Sequence, residues 1–326
     1  MLSEAFEVII KGIVVVLVLM GAAAYMTLCE RVLMARMQLR LGPNRVGPLG
    51  LLQPIADGIK LLCKEGFQPA GVEKFIYWLA PAISLFLALF AFVLIPVGGT
   101  VTILGREVDL RIADINAGIV FLLAFSSLAV YGVVLAGWAS NNRYSLLGGI
   151  RGTAQMISYE IPMGMSLMTV VLAAGTLRLT DIVAEQANTH WFIWTNPIGF
   201  IVFVITSFAE TNRAPFDLPE AEQELTAGYH TEYGGMKFAM FFLAEYVNIL
   251  AVSSIAVTLF LGGWEGPGNL PFIWFFLKVA VFVFFFMWVR ATMPRFRYDQ
   301  LMSFGWKVLI PLATLNLIVT AYFILV

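Results

Sequence analysis

Apolar runs, each about as long as a bilayer's hydrocarbon core is thick, recur along the whole 326-residue chain. A helix needs about 20 mostly apolar residues to cross that core. Eight such runs lie at 8–29, 75–96, 117–139, 157–177, 194–209, 237–262, 271–290 and 307–326, the fifth being the shortest. In lipid only helices and closed barrels satisfy their backbone polar groups. The pattern therefore predicts an all-α polytopic membrane protein with about eight spans.

Composition agrees with a single membrane domain over residues 1–326. The chain is 60% hydrophobic and 13% charged, whereas soluble domains are near half apolar and about a quarter charged. The residues before the first run include Glu4 and Glu7, with Lys11 the only base. Because a signal peptide begins with basic residues, we expect the first span to be retained.

Lysine and arginine fall almost entirely on one side of these spans. The loops after spans one, three, five and seven carry 15 of the 20 basic residues, and the opposite loops carry 3. Basic residues concentrate in cytoplasmic loops, so both termini are expected on the periplasmic side. The two long cytoplasmic loops are then 30–74 and 210–236.

Several function classes are disfavoured by what the chain lacks. Its net charge of −1 argues against nucleic-acid binding, which needs a basic surface. Cys29, Cys63, His190 and His230 are scattered, so no metal or iron–sulphur site is expected. The sequence contains no nucleophile–base set or phosphate-binding motif, so any redox centre is expected in a partner.

The loop at 30–74 combines a turn with an amphipathic segment. Turn formers at 42–44 break any helix there, and apolar residues at helical spacing within 51–65 predict an amphipathic helix at the membrane interface. From composition alone this helix is a membrane-surface tether. Glu30 and Arg31, at the end of span one, would on their own extend to the lipid headgroups.

Three glutamates lie in or at the ends of predicted spans, namely Glu160, Glu210 and Glu245. An ionised carboxylate in hydrocarbon is costly, so such residues face the bundle interior or water and often belong to proton paths. One alone could be a structural hydrogen-bonding group, but three on three spans favour a path. Lys278 in span seven either extends outward or neutralises a buried carboxylate, and extension is favoured.

Six acidic residues and one arginine, Arg213, occupy the loop at 210–236. The acids are Glu210, Asp217, Glu220, Glu222, Glu224 and Glu232. Closely spaced carboxylates couple their titrations, yet a run of charge is usually a solvated loop. Phe216 and Leu218 leave open a third interpretation, in which the loop folds against a partner.

Four long motifs carry a resemblance to a known family. They are ERVLMARMQLRLGPNRVGPLGLLQPIADGIKLLCKE at 30–65, GWASNNRYSLLGGIRGTAQMISYE at 137–160, FAETNRAPFDLPEAEQELTAGYHTEYGGMKFAMFFLAEYVN at 208–248 and RATMPRFRYDQLM at 290–302. In this order they closely resemble the NuoH family, the quinone-passage membrane subunit of respiratory complex I. That complex is the proton-pumping NADH:quinone oxidoreductase. The resemblance extends from the first span to the last.

The resemblance implies a role for particular residues. The family forms most of the passage by which quinone, the substrate, enters from the bilayer. By position, the residues that match the lining of this passage are Glu30, Arg31, Arg36, Arg40, Asp57, Phe216 and Arg290. Those that match the acidic path from quinone chemistry to the proton channels are Glu160, Glu210, Glu220, Glu222, Glu224 and Glu245. The loop at 210–236 matches a mobile loop at the quinone cavity.

The resemblance also implies partners and a location. This chain would bind no cofactor, and FMN and iron–sulphur clusters would lie in partner subunits. Those partners are the hydrophilic subunits of the quinone module and the neighbouring small membrane subunits. The expected location is a bacterial plasma (inner) membrane.

Other interpretations make different predictions. The membrane subunit of an energy-converting hydrogenase shares the carboxylate helices but has no quinone, and the motifs at 42–44 and 53–60 argue against it. A self-contained ion-translocating transporter would move ions without partners. A purely structural anchor would tolerate neutralisation of the three span glutamates.

Overall fold

The computed structural model describes the backbone of residues 2–103, 106–219, 222–267 and 271–325. Side chains are described over the same ranges except at 2–7, 100–103, 106–108, 222–223 and 271. The elements run in the order α1 (Leu2–Met37), α2 (Gln53–Cys63), α3 (Lys74–Ala91), β1 (Thr100–Ile103), β2 (Arg106–Asp109), α4 (Gly118–Ala139), α5 (Arg143–Ala174), α6 (Leu179–Asn188), α7 (Phe192–Thr195), α8 (Pro197–Glu210), α9 (Glu222–Leu225), α10 (Met236–Phe260), α11 (Pro271–Thr292), α12 (Tyr298–Phe304) and α13 (Ile310–Leu325). A π-helical turn, Gly305–Leu309, joins α12 to α13.

Seven helical segments within the described residues are long and apolar enough to cross a membrane. They are α1, α3, α4, α5, α10, α11 and the continuous run from α12 to α13. The remaining predicted span is α8, an apolar helix of only 14 residues. At about 1.5 Å per residue it is roughly 21 Å long, shorter than the hydrocarbon core. The prediction of an all-α polytopic membrane protein is confirmed.

Two helices extend beyond the apolar runs that predicted them. Helix α1 has 36 residues, so Glu30 and Arg36 continue the helix past the span. Helix α5 has 32 residues, and Asn142 caps its start by accepting a hydrogen bond from the backbone N–H of Tyr144 (3.0 Å). It ends where Gly175 adopts the left-handed conformation (φ 67°), as glycine does at helix ends. These extra turns place charged residues on helices rather than on loops.

The bundle is organised around α5 and α10. Helix α5 contacts α4, α8 and α13, while α10 contacts α1, α3 and α11. Lipid provides no hydrophobic drive between spans, so small residues that allow close approach stabilise the packing. A Cβ placed on Gly137 of α4 would lie 2.8 Å from the carbonyl oxygen of Ser145 on α5. Glycine at this position therefore lets the two helices touch at the backbone.

The predicted amphipathic helix is α2. Its apolar residues Ile55, Ile59 and Leu62 are exposed, as expected of a face that meets lipid or a partner. Its polar face is tied to α1, because Asp57 accepts a hydrogen bond from Arg31 (2.7 Å). The helix is therefore fixed to the end of the first span by an ion pair.

The two ends of the bundle differ in structure. The basic end carries the arginine-rich segments that follow α1 and α11, the start of α5 with Arg143 and Arg151, and the loop with Arg213 that follows α8. The hairpin end carries β1 and β2, which pair antiparallel from Thr100 with Asp109 to Ile103 with Arg106. This ribbon is a small described exception to the all-helical prediction.

The expectation that Lys278 of α11 extends to the headgroups is wrong. The residue is 8% exposed. Its Nζ donates to the carbonyl oxygens of Leu261 (2.6 Å), Gly263 (3.0 Å) and Glu265 (2.6 Å). These carbonyls follow the end of α10, where the last backbone acceptors lack partners within the helix. Lys278 therefore caps α10 from the neighbouring helix.

Candidate functional site

A buried arginine, Arg213, joins two helices at the basic end. It follows α8 and is 5% exposed. Its Nη1 donates to both carboxylate oxygens of Glu30 on α1 (3.0 and 3.3 Å). Its Nε pairs with Glu245 of α10, and its guanidinium carbon lies 4.4 Å from the ring centre of Tyr246. One guanidinium thus holds two carboxylates from different helices.

Glu30 is the acceptor that the surrounding groups share. It also accepts a hydrogen bond from the Tyr246 hydroxyl (2.7 Å) and pairs with Arg290 of α11. At 5% exposure it does not extend to the headgroups, so that expectation is wrong. Glu30, Arg213, Glu245, Tyr246 and Arg290 are called the Arg213 cluster below.

The charge of Arg213 is fixed by its surroundings. Burial alone lowers the pKa of Arg213, but the carboxylates of Glu245 and Glu30 outweigh this and raise its pKa above the ordinary value. The guanidinium therefore stays charged at any physiological pH. Because both carboxylates interact with one permanent cation, a change of charge on either is felt by the other.

A cavity of about 10 Å³ borders the Arg213 cluster, between α1, α10 and α11. Its walls include Met26, Phe286 and Met287 as well as Glu30 and Arg290. One water needs roughly 10–15 Å³ of such space, so this cavity has room for one water at most. The helices as packed leave no space for a quinone ring at this point of the described chain.

The other charged residues matched to the passage lie outside the Arg213 cluster. Arg31 and Asp57 bind each other between α1 and α2, with partly exposed side chains. Arg36 and Arg40 are exposed at the end of α1. The structure therefore brings Glu30 and Arg290 together and leaves these four residues around the exposed end of the first helix.

A second cavity, of about 40 Å³, lies between Glu245 and Glu210 and is called the polar chamber. Polar groups on its walls come from Ser84, Thr211, Asn212 and Asn248. At about 10–15 Å³ per molecule it has room for two or three waters. The polar chamber connects the Arg213 cluster to the end of α8.

Glu210 lies where the polar chamber meets an apolar cavity. Its Oε1 accepts a hydrogen bond from Ser126 (2.5 Å), and its Oε2 is buried without a hydrogen-bond partner among the described residues. On its other side is a cavity of about 60 Å³ with largely aliphatic walls, including Leu123, Leu167 and Ile255. Buried polar atoms are normally satisfied, and the polar chamber is the side that can supply water.

Glu160 completes a series of three carboxylates. It lies half-buried on α5 and accepts a hydrogen bond from Ser127. Ser127 follows Ser126 on α4, so consecutive serines bind the carboxylates of Glu160 and Glu210. Because these serines are adjacent in the chain, the two carboxylates lie close together. Helices α10, α8 and α5 thus place Glu245, Glu210 and Glu160 in sequence across the bundle.

Ion pairs hold the acidic loop at 210–236 against neighbouring parts of the chain. Asp217 binds Arg295, which follows α11 (2.7 Å). Glu224 binds Arg151 of α5 (2.9 Å). Both pairs are partly exposed, and such pairs contribute about 1 kcal/mol or less each. They orient the loop rather than supply much of its stability.

The apolar residues of the loop are also covered by this chain. Phe216 is 6% and Leu218 is 1% exposed, and the Phe216 ring stacks on Phe296 at a centroid distance of 5.7 Å. Burial lowers the pKa of His230 to about 3, so its imidazole is neutral near pH 7. The interpretation of a solvated loop is therefore wrong for these residues, and the loop needs no partner to bury them.

The remaining matched glutamates lie apart from the polar chamber or outside the described residues. Glu220 lies outside them, and Glu222 begins α9 with a side chain that is also not described. The Glu224 side chain is 54% exposed. Within the described residues the series of buried carboxylates runs through the helices and not through the loop.

Comparison with known proteins identifies the family. The family model described as NADH dehydrogenase matches residues 10–321. The chain belongs to the NADH dehydrogenase family. It is 79% identical over 305 residues to the H subunit of the NADH-quinone oxidoreductase of Protochlamydia amoebophila (strain UWE25), with 94% of each chain covered. It is 56% identical over 321 residues to one such H subunit of Geobacter sulfurreducens, covering 98% of this chain and 97% of the relative. The corresponding H subunit of Thermomicrobium roseum is 53% identical over 315 residues, covering 94% and 92%.

Sequence reasoning missed several residues of this candidate site. Arg213, counted only as a loop base, could have been singled out as the lone arginine among six acids. Tyr246 directly follows Glu245. Ser126 and Ser127 gave no usable signal, because most serines in helices bond their own backbone. Which serines reach a carboxylate depends on how the helices are rotated against one another.

Proposed function

We propose that this chain is the H-type membrane subunit of a proton-pumping NADH:quinone oxidoreductase, respiratory complex I. It forms the passage by which quinone enters from the bilayer. It also forms the start of the carboxylate path that couples quinone reduction to proton translocation. Relatives covering nearly the whole chain are named as H subunits of NADH-quinone oxidoreductase, which supports the assignment as an H-type subunit.

The observation that carries the proposed coupling role is that Arg213 binds residues of both matched groups. Through Nη1 it holds Glu30, matched to the quinone passage, and through Nε it holds Glu245, matched to the carboxylate path. Charges interact more strongly in a buried site than in water. A change of charge beside Glu30 is therefore transmitted to Glu245 without any proton crossing the guanidinium.

The coupling then proceeds by protonation. Quinone reduction consumes protons and changes the charge near Glu30 and Arg290. Arg213 responds by interacting more strongly with whichever carboxylate is ionised, which favours or disfavours a proton on Glu245. Water in the polar chamber carries protons between Glu245 and Glu210. The serines at 126–127 connect Glu210 to Glu160.

Partner subunits supply the rest of the machinery. Electrons come from FMN and iron–sulphur clusters in the hydrophilic subunits, and this chain orients quinone and moves protons. The partly exposed position of Glu160 on α5 suits transfer to a neighbouring small membrane subunit. The basic end faces the cytoplasm of a bacterial plasma membrane, an orientation that the distribution of arginine and lysine supports.

The coupling can be tested with Glu210→Gln and Glu160→Gln in the assembled complex, reconstituted in liposomes. We expect NADH-driven proton pumping to fall at least several-fold in both variants, with quinone reduction falling alongside it. Glu185→Gln, on α6 at the hairpin end, is a matched control that removes a carboxylate away from the path. Undiminished pumping with normal quinone reduction in both test variants would contradict the coupling role.

The quinone passage needs a separate test. A photoreactive quinone analogue is bound to the assembled complex, irradiated, and its attachment sites are mapped by peptide mass spectrometry. We expect label within 30–65 or 208–235, displaced by excess natural quinone. Labelling of this chain only elsewhere would refute the passage without affecting the carboxylate path.

A further inference from the structure

Lys237, in the first turn of α10, is a buried cation without an oxygen partner among the described residues. It is 3% exposed. Its Nζ lies 4.4 Å from the ring centre of Tyr77 and 4.2 Å from that of Trp78, both on α3. It forms no hydrogen bond or ion pair with another residue in the described part of the chain. An ammonium has three N–H donors, and the aromatic faces interact with its charge without accepting conventional hydrogen bonds.

The other buried cations of the described chain show how unusual this is. Arg213 binds two carboxylates, and Lys278 donates to three backbone carbonyl oxygens. A buried donor left without an acceptor costs free energy. Arg213 also has an Nη2 without a hydrogen-bond partner among the described residues, but two carboxylates balance its charge. Of the three, Lys237 is the described cation without a carboxylate or carbonyl partner.

The surroundings of Lys237 open to the outside of the bundle. Trp78, whose ring lies against the ammonium, is 57% exposed, and Phe75 is 77% exposed. Lys74, at the start of α3, is also exposed and adds positive charge. Glu73, the adjacent acid, is exposed as well and makes no ion pair with Lys237. An anion approaching beside Trp78 would therefore reach the ammonium.

The elements around Lys237 favour an anion with an apolar tail. The first turns of α3 and α10 present backbone N–H groups without partners inside the helix, and helix starts attract negative charge. From Trp78 an exposed apolar face continues along α3 through Leu79, Phe86 and Phe90. A ligand with a negative head and a hydrocarbon tail matches both features. A soluble anion would match only the first.

We propose that Lys237 binds the phosphate of an anionic phospholipid in the leaflet at the basic end, with an acyl chain along α3. Basic pockets between helices on the cytoplasmic side bind anionic headgroups, and tryptophan lies at the depth of the headgroups. The donors of Lys237 then bond phosphate oxygens, and Trp78 packs beside the headgroup. This site does not depend on the proposed roles of the Arg213 cluster.

The test uses the complete detergent-purified complex, depleted of lipid and then titrated with phosphatidylglycerol or phosphatidylcholine in mixed micelles. Bound lipid is counted by mass spectrometry for wild type, Lys237→Gln and Lys237→Arg. Lys307→Gln, an exposed lysine before α13, is the matched loss of one charge. A lysine at an anionic surface contributes about 1 kcal/mol. We therefore expect Lys237→Gln to weaken phosphatidylglycerol binding about fivefold, with phosphatidylcholine unchanged and Lys237→Arg near wild type.

Several results would overturn the proposal. These are an equal loss in Lys307→Gln, no preference of wild type for phosphatidylglycerol, competition by inorganic phosphate at equal concentration, or carbodiimide coupling of Lys237 to a carboxylate of another subunit. If Lys237→Gln fails to assemble, amine acylation of the wild-type complex decides instead. Phosphatidylglycerol must then slow acylation of Lys237 but not of Lys307, and equal rates would refute the site.

Discussion

The two ends of this protein use arginine and carboxylate in opposite ways. At the hairpin end, Asp109, Arg111, Asp114, Arg178 and Thr180 form the Asp114 cluster. Within it Asp114 accepts hydrogen bonds from Arg178 (2.6 and 2.9 Å) and from Thr180 (3.1 Å). Its charged side chains are partly exposed, whereas the acids and Arg213 of the Arg213 cluster are buried or nearly so.

This difference in burial decides what each cluster can do. Exposed pairs contribute little and are screened by water, so the Asp114 cluster serves to fix the hairpin to the start of α6. Buried charges interact strongly and are costly to leave unpaired. The Arg213 cluster also borders cavities. In the same region lies Oε2 of Glu210, which has no hydrogen-bond partner among the described residues. Only the buried cluster can convert a change of charge into a change of protonation elsewhere.

Removing Arg213 should give the largest effect. In Arg213→Gln both Glu30 and Glu245 lose their buried counter-charge, and breaking a buried pair costs about 3–5 kcal/mol. We expect little assembled complex and a lowered thermal inactivation temperature, measured by native gels and residual activity. The double variant Arg213→Gln with Glu245→Gln should recover part of the loss. Equal loss in single and double variants would show that Glu245 is not the partner that matters.

Ser126→Ala should have the next largest effect. It removes the described hydrogen bond to Glu210, and hydrogen bonds to charged groups contribute about 1.5–3 kcal/mol. We expect fewer protons pumped per NADH oxidised, with quinone reduction less affected, measured in proteoliposomes. Ser126→Thr keeps the hydroxyl and serves as the control. If alanine and threonine behave alike, the hydroxyl plays no part in the path.

Asp114→Asn should have a small effect. The variant removes a charge from the Asp114 cluster, but water and the neighbouring carboxylate of Asp109 compensate because the site is partly exposed. We expect assembly, quinone reduction and pumping all to remain near wild type. A loss of pumping as large as that of Glu210→Gln would remove the distinction between the two ends.

The smallest effect concerns pH. The hydrogen bond from Arg111 holds the pKa of Asp109 below its ordinary 3.8. Since its folded pKa is depressed, the stabilisation is present above about pH 3.8 and lost as pH falls through the lower folded value. Hydrogen exchange of the hairpin should therefore be insensitive to this group between pH 5 and 8, by the same linkage. In Asp109→Asn the acid-dependent part of the protection should disappear. A wild-type transition near pH 6 would have to come from another group.

The hydrophobic pattern was enough to predict the architecture. It located the membrane segments, indicated that 194–209 was the weakest, and placed the amphipathic helix that became α2. It could not predict the length of α5, because Gly148, Gly149, Arg151 and Gly152 interrupt the apolar pattern before Glu160. The helical state of these turns depends on the Asn142 cap and on contact with α4. The hairpin was missed because four-residue strands leave little periodic signal.

The sequence singled out only some residues of the candidate site and none of the connections between them. Glu30, Glu245 and Arg290 were all singled out, yet they lie far apart in sequence and nothing local indicates that they meet. Residue chemistry favoured headgroup extension for Glu30 and Lys278. Both proved buried, because a cation or acceptor from another helix satisfies each of them.

The amino-acid sequence by itself determined that this chain spans a membrane, which end is rich in arginine, and which carboxylates have to be accounted for inside the bundle. Hydrophobicity and charge are properties of individual residues, so their distribution along the chain follows directly from the sequence. Only the tertiary structure decided that Arg213 joins Glu30 to Glu245, and that Lys237 has no oxygen partner among the described residues. Both outcomes depend on how helices distant in sequence pack together, since burial and pairing are properties of the whole bundle.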